Sequence, residues 1–458
     1  MDWETISGRL NKLLEDGRRS ELRGALLMLN VVDIAQFMES LPKDQLLLVF
    51  RILPKDISAD VFAYMSSEQQ QVLIESIGDT EISGLIDQMF LDDTVDFLEE
   101  LPATVVKRVL QNTEPQTRAL INQFLKYPEN SAGSIMTIEF AEFHSNLTVK
   151  EAMDSLRKTG LDKETINTCY VIDPSRHLIG TVTLRRLILS DDDKLVTEIM
   201  NTHFVSVKTL DDQEAVADTV RKYDVMSIPV VDNENRLVGI ITADDIMDVI
   251  EEENTEDIEK MGGLLPSDEE YLKTPILTLF KNRIPWLLIL MISATFTGMI
   301  ITHYEGVLSD AGKLGVLLTA CLPMLMDTGG NCGAQASTLV IRGLALGQVE
   351  FKDILRVWWR EVRVALLVGA VLAVVNIIRQ LILYYISPGI SPDTVRVTVI
   401  VSSAMFFTVL IAKSIGCTLP LLAKKVGLDP ALMASPIITT LVDACSLTIL
   451  FSIATMAL

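Results

Sequence analysis

In the stretch TTLVDACSLTILF, residues 439 to 451, Asp443 is the only carboxylate or cation between Asp429 and Leu458. A charge at the centre of a bilayer costs about 2.5–3.5 kcal/mol on insertion scales, so an acid inside an apolar run marks a working position by default. Thr439 and Ser435 precede it by four and eight residues, with Pro436 beside them, and these spacings return to nearly one side of a helix. Pro436 lacks an amide hydrogen, which predicts a carbonyl freed one turn back. Carboxylate, hydroxyl and carbonyl oxygens together suit a hard cation such as Mg²⁺. The alternative is a structural aspartate, paired with Lys413 or Arg379 or hydrogen-bonded within a helix bundle.

A second polar interruption is LPMLMDTGGNCGAQASTLVIRG, residues 322 to 343, which sets a proline, an aspartate, a Gly-Gly pair and an asparagine inside an apolar run. The composition predicts a broken helix, and broken backbone at membrane depth survives only inside protein or along a water-filled path. Gly333 and Ser337 also fit a small-residue face for close helix packing. Asp327 and Asn331 add oxygen ligands that packing alone does not need.

Carboxylates gather elsewhere too. Asp92 and Asp96 lie one helical turn apart, where like charges repel. A solvated acidic face is the plain reading, and a shared divalent cation would remove the repulsion. In TADDIMDVIEEENTEDIEK, residues 242 to 260, Asp245 and Asp248 and then Glu253, Glu256 and Asp257 crowd one helical stretch leading to the apolar part. Charge runs are ordinarily solvated. This one joins two regions, so an ion that neutralised it would alter the helix between them.

The elements that must carry these residues follow from composition. Residues 1 to 275 hold 52 Asp/Glu against 26 Lys/Arg, and residues 276 to 458 hold 9 against 13. The first part is soluble and too acidic for nucleic acid; it favours cations. The second part reads as membrane, with spans at about 284–304, 314–341, 362–386, 396–423 and 432–457, each long enough for a bilayer that needs about 20 residues. Lys281 and Arg283 precede the first span, Lys352, Arg356, Arg360 and Arg363 separate the second from the third, and Lys424 and Lys425 precede the fifth. The positive-inside rule then puts the N-terminal region in the cytoplasm and the C-terminus outside. No apolar core with a small-residue cleavage site opens the chain, so the first 275 residues are expected to stay cytoplasmic. The cysteines at 169, 321, 332, 417 and 445 have neither zinc nor disulfide spacing.

Residues 1 to 130 are punctuated by Leu41-Pro42, Leu53-Pro54 and Leu101-Pro102, predicting an all-α stack of short helices. Residues 131 to 252 repeat one α/β pattern twice: strand, helix, strand ending at an Asp turn, strand, helix. That pattern resembles a tandem CBS domain pair, a regulatory module that commonly binds adenine nucleotides. The nucleotide segment of that family matches Gly239 to Asp245, which implies ATP held through Thr242 and Asp245; Arg186 stands at the corresponding acidic position of the first half.

The whole order, an acidic helical domain (1–130), a CBS pair (131–252), a linker or plug helix (253–280) and a transmembrane pore domain of five helices (281–458), resembles the MgtE magnesium transporter/channel family. PMLMDTGGNCGAQAS, SPIITTLVD and EEENTEDIEK carry the resemblance. It implies a homodimer in the lipid of the cytoplasmic membrane, with a pore between subunits that holds hydrated Mg²⁺ near Asp443 and is lined by Asn331, Ser435 and Thr439. It further implies closure by intracellular Mg²⁺ at Asp92, Asp96, Gly133 (through its backbone), Glu214, Asp224, Asp245, Asp248, Glu253, Glu256, Asp257 and Asp429. An enzyme is not expected: the four histidines form no HExxH and no GxxxxGK[ST] occurs. Transport of another divalent ion, Mn²⁺, Co²⁺ or Zn²⁺, is the rival reading, because oxygen ligands discriminate weakly.

Overall fold

The structure is a computed structural model. It describes every residue except 1–2, 100, 268–270, 273, 387–390, 434 and 458, together with the side chains of 307, 310 and 435. The chain divides into two compact units, Met1–Ile250 and Glu251–Leu458.

Among the described residues, the first unit opens with ten short helices, from Trp3–Glu15 to Pro115–Phe124. The Leu-Pro pairs punctuate them for a physical reason. A residue before proline avoids the helical region, so each leucine ends its helix, and Pro42, Pro54 and Pro102 stand at the caps of the next. Leu41, Leu53 and Leu101 are buried at these corners, and Phe62 meets Phe97 edge-on with ring centroids 4.9 Å apart.

Two three-stranded sheets follow, β1 Phe140–His144, β2 Thr165–Ile172 and β3 Leu178–Thr183, then β4 Val207–Lys208, β5 Ser227–Val231 and β6 Leu237–Thr242. Each has the same topology, a parallel pair joined through a helix and then an antiparallel hairpin. The Asp turns come from one device repeated: Asp173 Oδ1 accepts from the amides of Ser175 and His177, and Asp232 Oδ1 from those of Glu234 and Arg236. A buried 2.7 Å hydrogen bond between the hydroxyls of Tyr170 and Ser227 ties the halves together.

The last helix of the repeat does not stop at its end but runs on as Ala243–Met261. After a glycine turn the first membrane helix, Ile276–His303, begins. Gly263 has φ +72°, and a Cβ there would lie 2.1 Å from the Trp286 ring, so only glycine lets the linker end pass under that indole.

Among the described residues, four helices are long and apolar enough to cross a membrane: Ile276–His303, Ile354–Ile386, Pro392–Val426 and Ser435–Ala457. The remaining expected span is the 24-residue Leu322–Ala345, which we call the inner helix; it is long enough, but Asp327, the glycines, Asn331 and Arg342 lower its hydropathy below that of the other four. Its predicted break is displaced. The helix runs unbroken through Gly329-Gly330-Asn331, and the interruption lies between Lys313–Thr319 and Leu322, just ahead of Pro323, where a proline fits the first turn of a new helix. The glycines serve the packing instead: a Cβ on Gly416 would stand 2.2 Å from the Gly333 carbonyl oxygen, and one on Gly329 would meet Thr408 and Val442 within 3 Å.

Candidate functional site

Asp443 lies half-buried on the last helix, which starts at Ser435, directly after the turn Pro430–Met433. Pro436 is therefore the second residue of that helix, where an amide would have had no helical partner. It frees no interior carbonyl, and the sequence expectation fails on this point. Its own carbonyl accepts from Thr439 Oγ1 at 2.9 Å and Thr440 Oγ1 at 3.0 Å. Ser435's side chain lies outside the described residues.

Thr439 faces the inner helix, where a Cβ on Gly330 would come within 3.0 Å of its methyl. The next residue, Asn331, donates from Nδ2 to Asp327 Oδ1 at 3.2 Å. Asp327 is close enough to Asp443 for their charges to repel. The cations proposed as structural partners are engaged elsewhere: Lys413 lies 3.5 Å from Glu361, and Arg379 donates to Asn376 Oδ1 at 3.0 Å. The structure thus packs the inner helix, with Asp327 and Asn331, against the last helix, with Asp443 and Thr439. The Asp443–Asp327 pairing was not foreseen, because 116 residues separate the two and only packing joins them.

A second acidic assembly fills the first unit. Asp92, Asp93 and Asp96 on helix Leu91–Glu99 share a cavity of about 630 Å³ with Asp60, Glu164, Asp244, Asp245 and Asp248. Asp92 is only 8% exposed, so the solvated-face reading does not hold for it, whereas Asp96 is exposed. Burial first, and the neighbouring carboxylates second, raise Asp92 well above the usual carboxylate range, Asp93 to about 6 and Glu164 to about 7. Burial likewise raises Asp245, against the Thr242 hydroxyl, which donates to its Oδ2 at 2.5 Å. Four of the expected ligands meet here. Asp93, beside Asp92, was legible in principle, while Glu164 reaches the cavity from a loop that no spacing connects to it.

Gly133, Glu214 and Asp224 do not line this cavity. The Gly133 amide donates to the Thr209 carbonyl, Glu214 sits exposed in the first turn of Gln213–Tyr223, and Asp224 caps that helix with φ 52°. Glu253, Glu256, Asp257 and Asp429 belong to the second unit. There Lys260 Nζ lies 2.5 Å from Glu256 Oε1 and 2.7 Å from Asp429 Oδ2. Asp257 is raised to about 6, by burial first and then by Asp429, with Lys260 opposing. The cation held among these acids is a lysine of the chain itself. Among the described residues, no three acidic, histidine or cysteine side chains converge on metal-ligand geometry.

Residues 322–453 match the family model described as MgtE, divalent cation transporter; residues 29–130 match the MgtE intracellular N domain, and 132–192 and 196–252 match CBS domains. The chain is 34% identical to the magnesium transporter MgtE of Thermus thermophilus over 99% of both chains. The chain belongs to the MgtE family. The magnesium transporter MgtE of Bacillus subtilis is 32% identical, over 99% of this chain and 98% of that protein. Among solved structures, the soluble part of a magnesium transporter superposes with TM-score 0.53 at 33% identity, covering 55% of this chain and 99% of that one. The cytosolic domain of the Mg²⁺ channel MgtE in complex with ATP superposes with TM-score 0.51 at 34% identity, over 53% and 99%. This MgtE family chain is a multi-pass membrane protein and a transporter, not an enzyme.

Proposed function

We propose that this MgtE family member takes Mg²⁺ up across the cytoplasmic membrane through a path lined by Asp443, Asp327, Asn331, Thr439 and Ser435, and that intracellular Mg²⁺ closes it. The observation that carries the reading is the pair Asp443 and Asp327, two acids on packed helices near enough for their charges to interact, with Asn331 hydrogen-bonded to Asp327. Mg²⁺ sheds water reluctantly and is held through one or two carboxylates with waters retained. Two acids that repel when empty and share a hydrated dication when filled suit that demand. In a homodimer the two-fold axis would double the set around one path. The loop charges orient it with the N-terminal unit in the cytoplasm and the C-terminus outside.

For closure, the acids around the 630 Å³ cavity are costly to hold together without a counter-ion. Mg²⁺ binds the compact arrangement better than an open one, and only such a difference in affinity shifts a two-state equilibrium. Glu253, Glu256, Asp257 and Asp429 extend the effect toward the membrane helices, and helix Ala243–Met261 carries it. Gly133, Glu214 and Asp224 belong to an outer set that enters only in another conformation. ATP fits the second CBS half through Thr242 and Asp245. Flux of Mg²⁺ into liposomes, challenged by Mn²⁺, Co²⁺ and Zn²⁺, tests the choice of ion: Mg²⁺ persists at equal competitor in this reading, and suppression by any of the three would reassign the cargo.

A further inference from the structure

The break ahead of the inner helix is held by a polar network that the ion path as described does not use. Asn376 and Gln380 lie one turn apart on helix Ile354–Ile386 and are 3% and 2% exposed. Buried amides require partners. Asn376 Nδ2 donates to Ser402 Oγ at 2.9 Å, and its Oδ1 accepts from Arg379 at 3.0 Å. Gln380 Nε2 lies 3.3 Å from the Cys321 sulfur, and Arg379 Nη2 lies 2.7 Å from the Met324 sulfur. Cys321 is the residue at the break, and Met324 stands one turn before Asp327 on the inner helix.

Arg379 is expensive within a span, and arginines near a helix end relieve the cost by reaching out to the interface. This one reaches back a turn, toward Asn376 and the inner helix. Three helices thus meet at the first turn of the element that carries Asp327 and Asn331.

We propose that Arg379 and Asn376 are positioning residues for the ion path: they fix the bent start of the inner helix and thereby the register of Asp327 against Asp443. The proposal rests on the reading that these two acids line the path. Mg²⁺ flux by the full chain in liposomes tests it, through the half-saturating Mg²⁺ concentration and the Mg²⁺/Ca²⁺ flux ratio of Arg379→Met and Asn376→Leu. Each is expected to raise the half-saturating concentration about tenfold, the scale of one lost hydrogen bond to a charged group, and to lower the ratio, with the melting temperature held near that of the parent. The double variant is expected to be no worse than either single one, because one network is broken once. Arg379→Lys keeps the charge without the fork and is expected not to restore the parent values; full restoration would assign the effect to charge alone and overturn the proposal. Should Asn376→Leu fail to insert, Ser402→Ala removes only one bond of the network and is expected to move the same two readouts in the same direction. Parent values in these variants, beside an inactive Asp443→Ala, overturn the positioning role alone. Parent-like flux in Asp443→Ala would instead remove the ion-path reading.

Discussion

Lys260 places its ammonium 2.7 Å from Asp429, joining the end of the linker helix to the turn that precedes the last membrane helix. Burial works against the charge on the lysine, but its hydrogen bonds to Asp429 and Glu256 outweigh it and raise the lysine above its ordinary range. The ammonium therefore stays charged at every physiological pH. It neutralises part of an acidic group that would otherwise need a metal ion.

Lys260→Met should therefore make closure more demanding. We expect the internal Mg²⁺ concentration for half-closure to rise about fivefold, equivalent to roughly 1 kcal/mol for a partly buried pair. Recordings from patches exposed to graded internal Mg²⁺ measure this, and an unchanged midpoint would show the pair to be idle.

The acidic cavity predicts a pH dependence. Asp92, Asp93, Glu164 and Asp245 are raised above their unfolded values, so between about pH 4 and pH 7 the folded unit binds more protons than the unfolded chain. Stability must then fall as pH rises through that window and level off above it. Thermal melts of the full protein without divalent ions should give a higher melting temperature at pH 5 than at pH 8, and millimolar Mg²⁺ should remove most of the difference. A flat or opposite profile would mean that the cavity opens before it titrates.

Close approach of the inner helix and helix Pro392–Val426 depends on missing side chains. Gly416→Val sets its Cβ against the Gly333 carbonyl, where backbone must move, and overpacking of this kind costs about 1–3 kcal/mol. A loss of monodispersity or a lower melting temperature in detergent is expected, and a parent-like melt would mean that the helices separate without cost.

Thr242 and Asp245 are bonded to each other, so a nucleotide must compete with that bond. Calorimetry on the full protein should detect ATP binding that Thr242→Ala weakens. Equal heats from the parent and the variant would place any nucleotide elsewhere.

Much of this architecture was legible in the chain because local rules decided it. The Leu-Pro corners, the repeated Asp turns and the apolar runs each depend on residues a few positions apart. What escaped depended on packing. The Gly-Gly pair read as a break became a contact face, since neighbouring helices fill the space the missing side chains leave. Pro436 read as an interior breaker became a helix start, since boundaries shift by a turn without altering composition. Asp327 near Asp443 and Glu164 near Asp92 are long-range encounters, and so is Lys260 with Asp429. In the acid clusters the sequence displayed the charges but not which of them are buried, and burial is what makes them sensitive to an ion.

Asp443, with Asp327 near it, is the carboxylate on which ion passage depends in the proposed function. Mg²⁺ flux by Asp443→Ala in liposomes tests it most directly, in protein shown to insert and to keep the oligomeric state of its parent. Flux at or near the level of empty liposomes is expected. Flux equal to that of the unaltered protein would contradict it and leave Asp443 a structural residue.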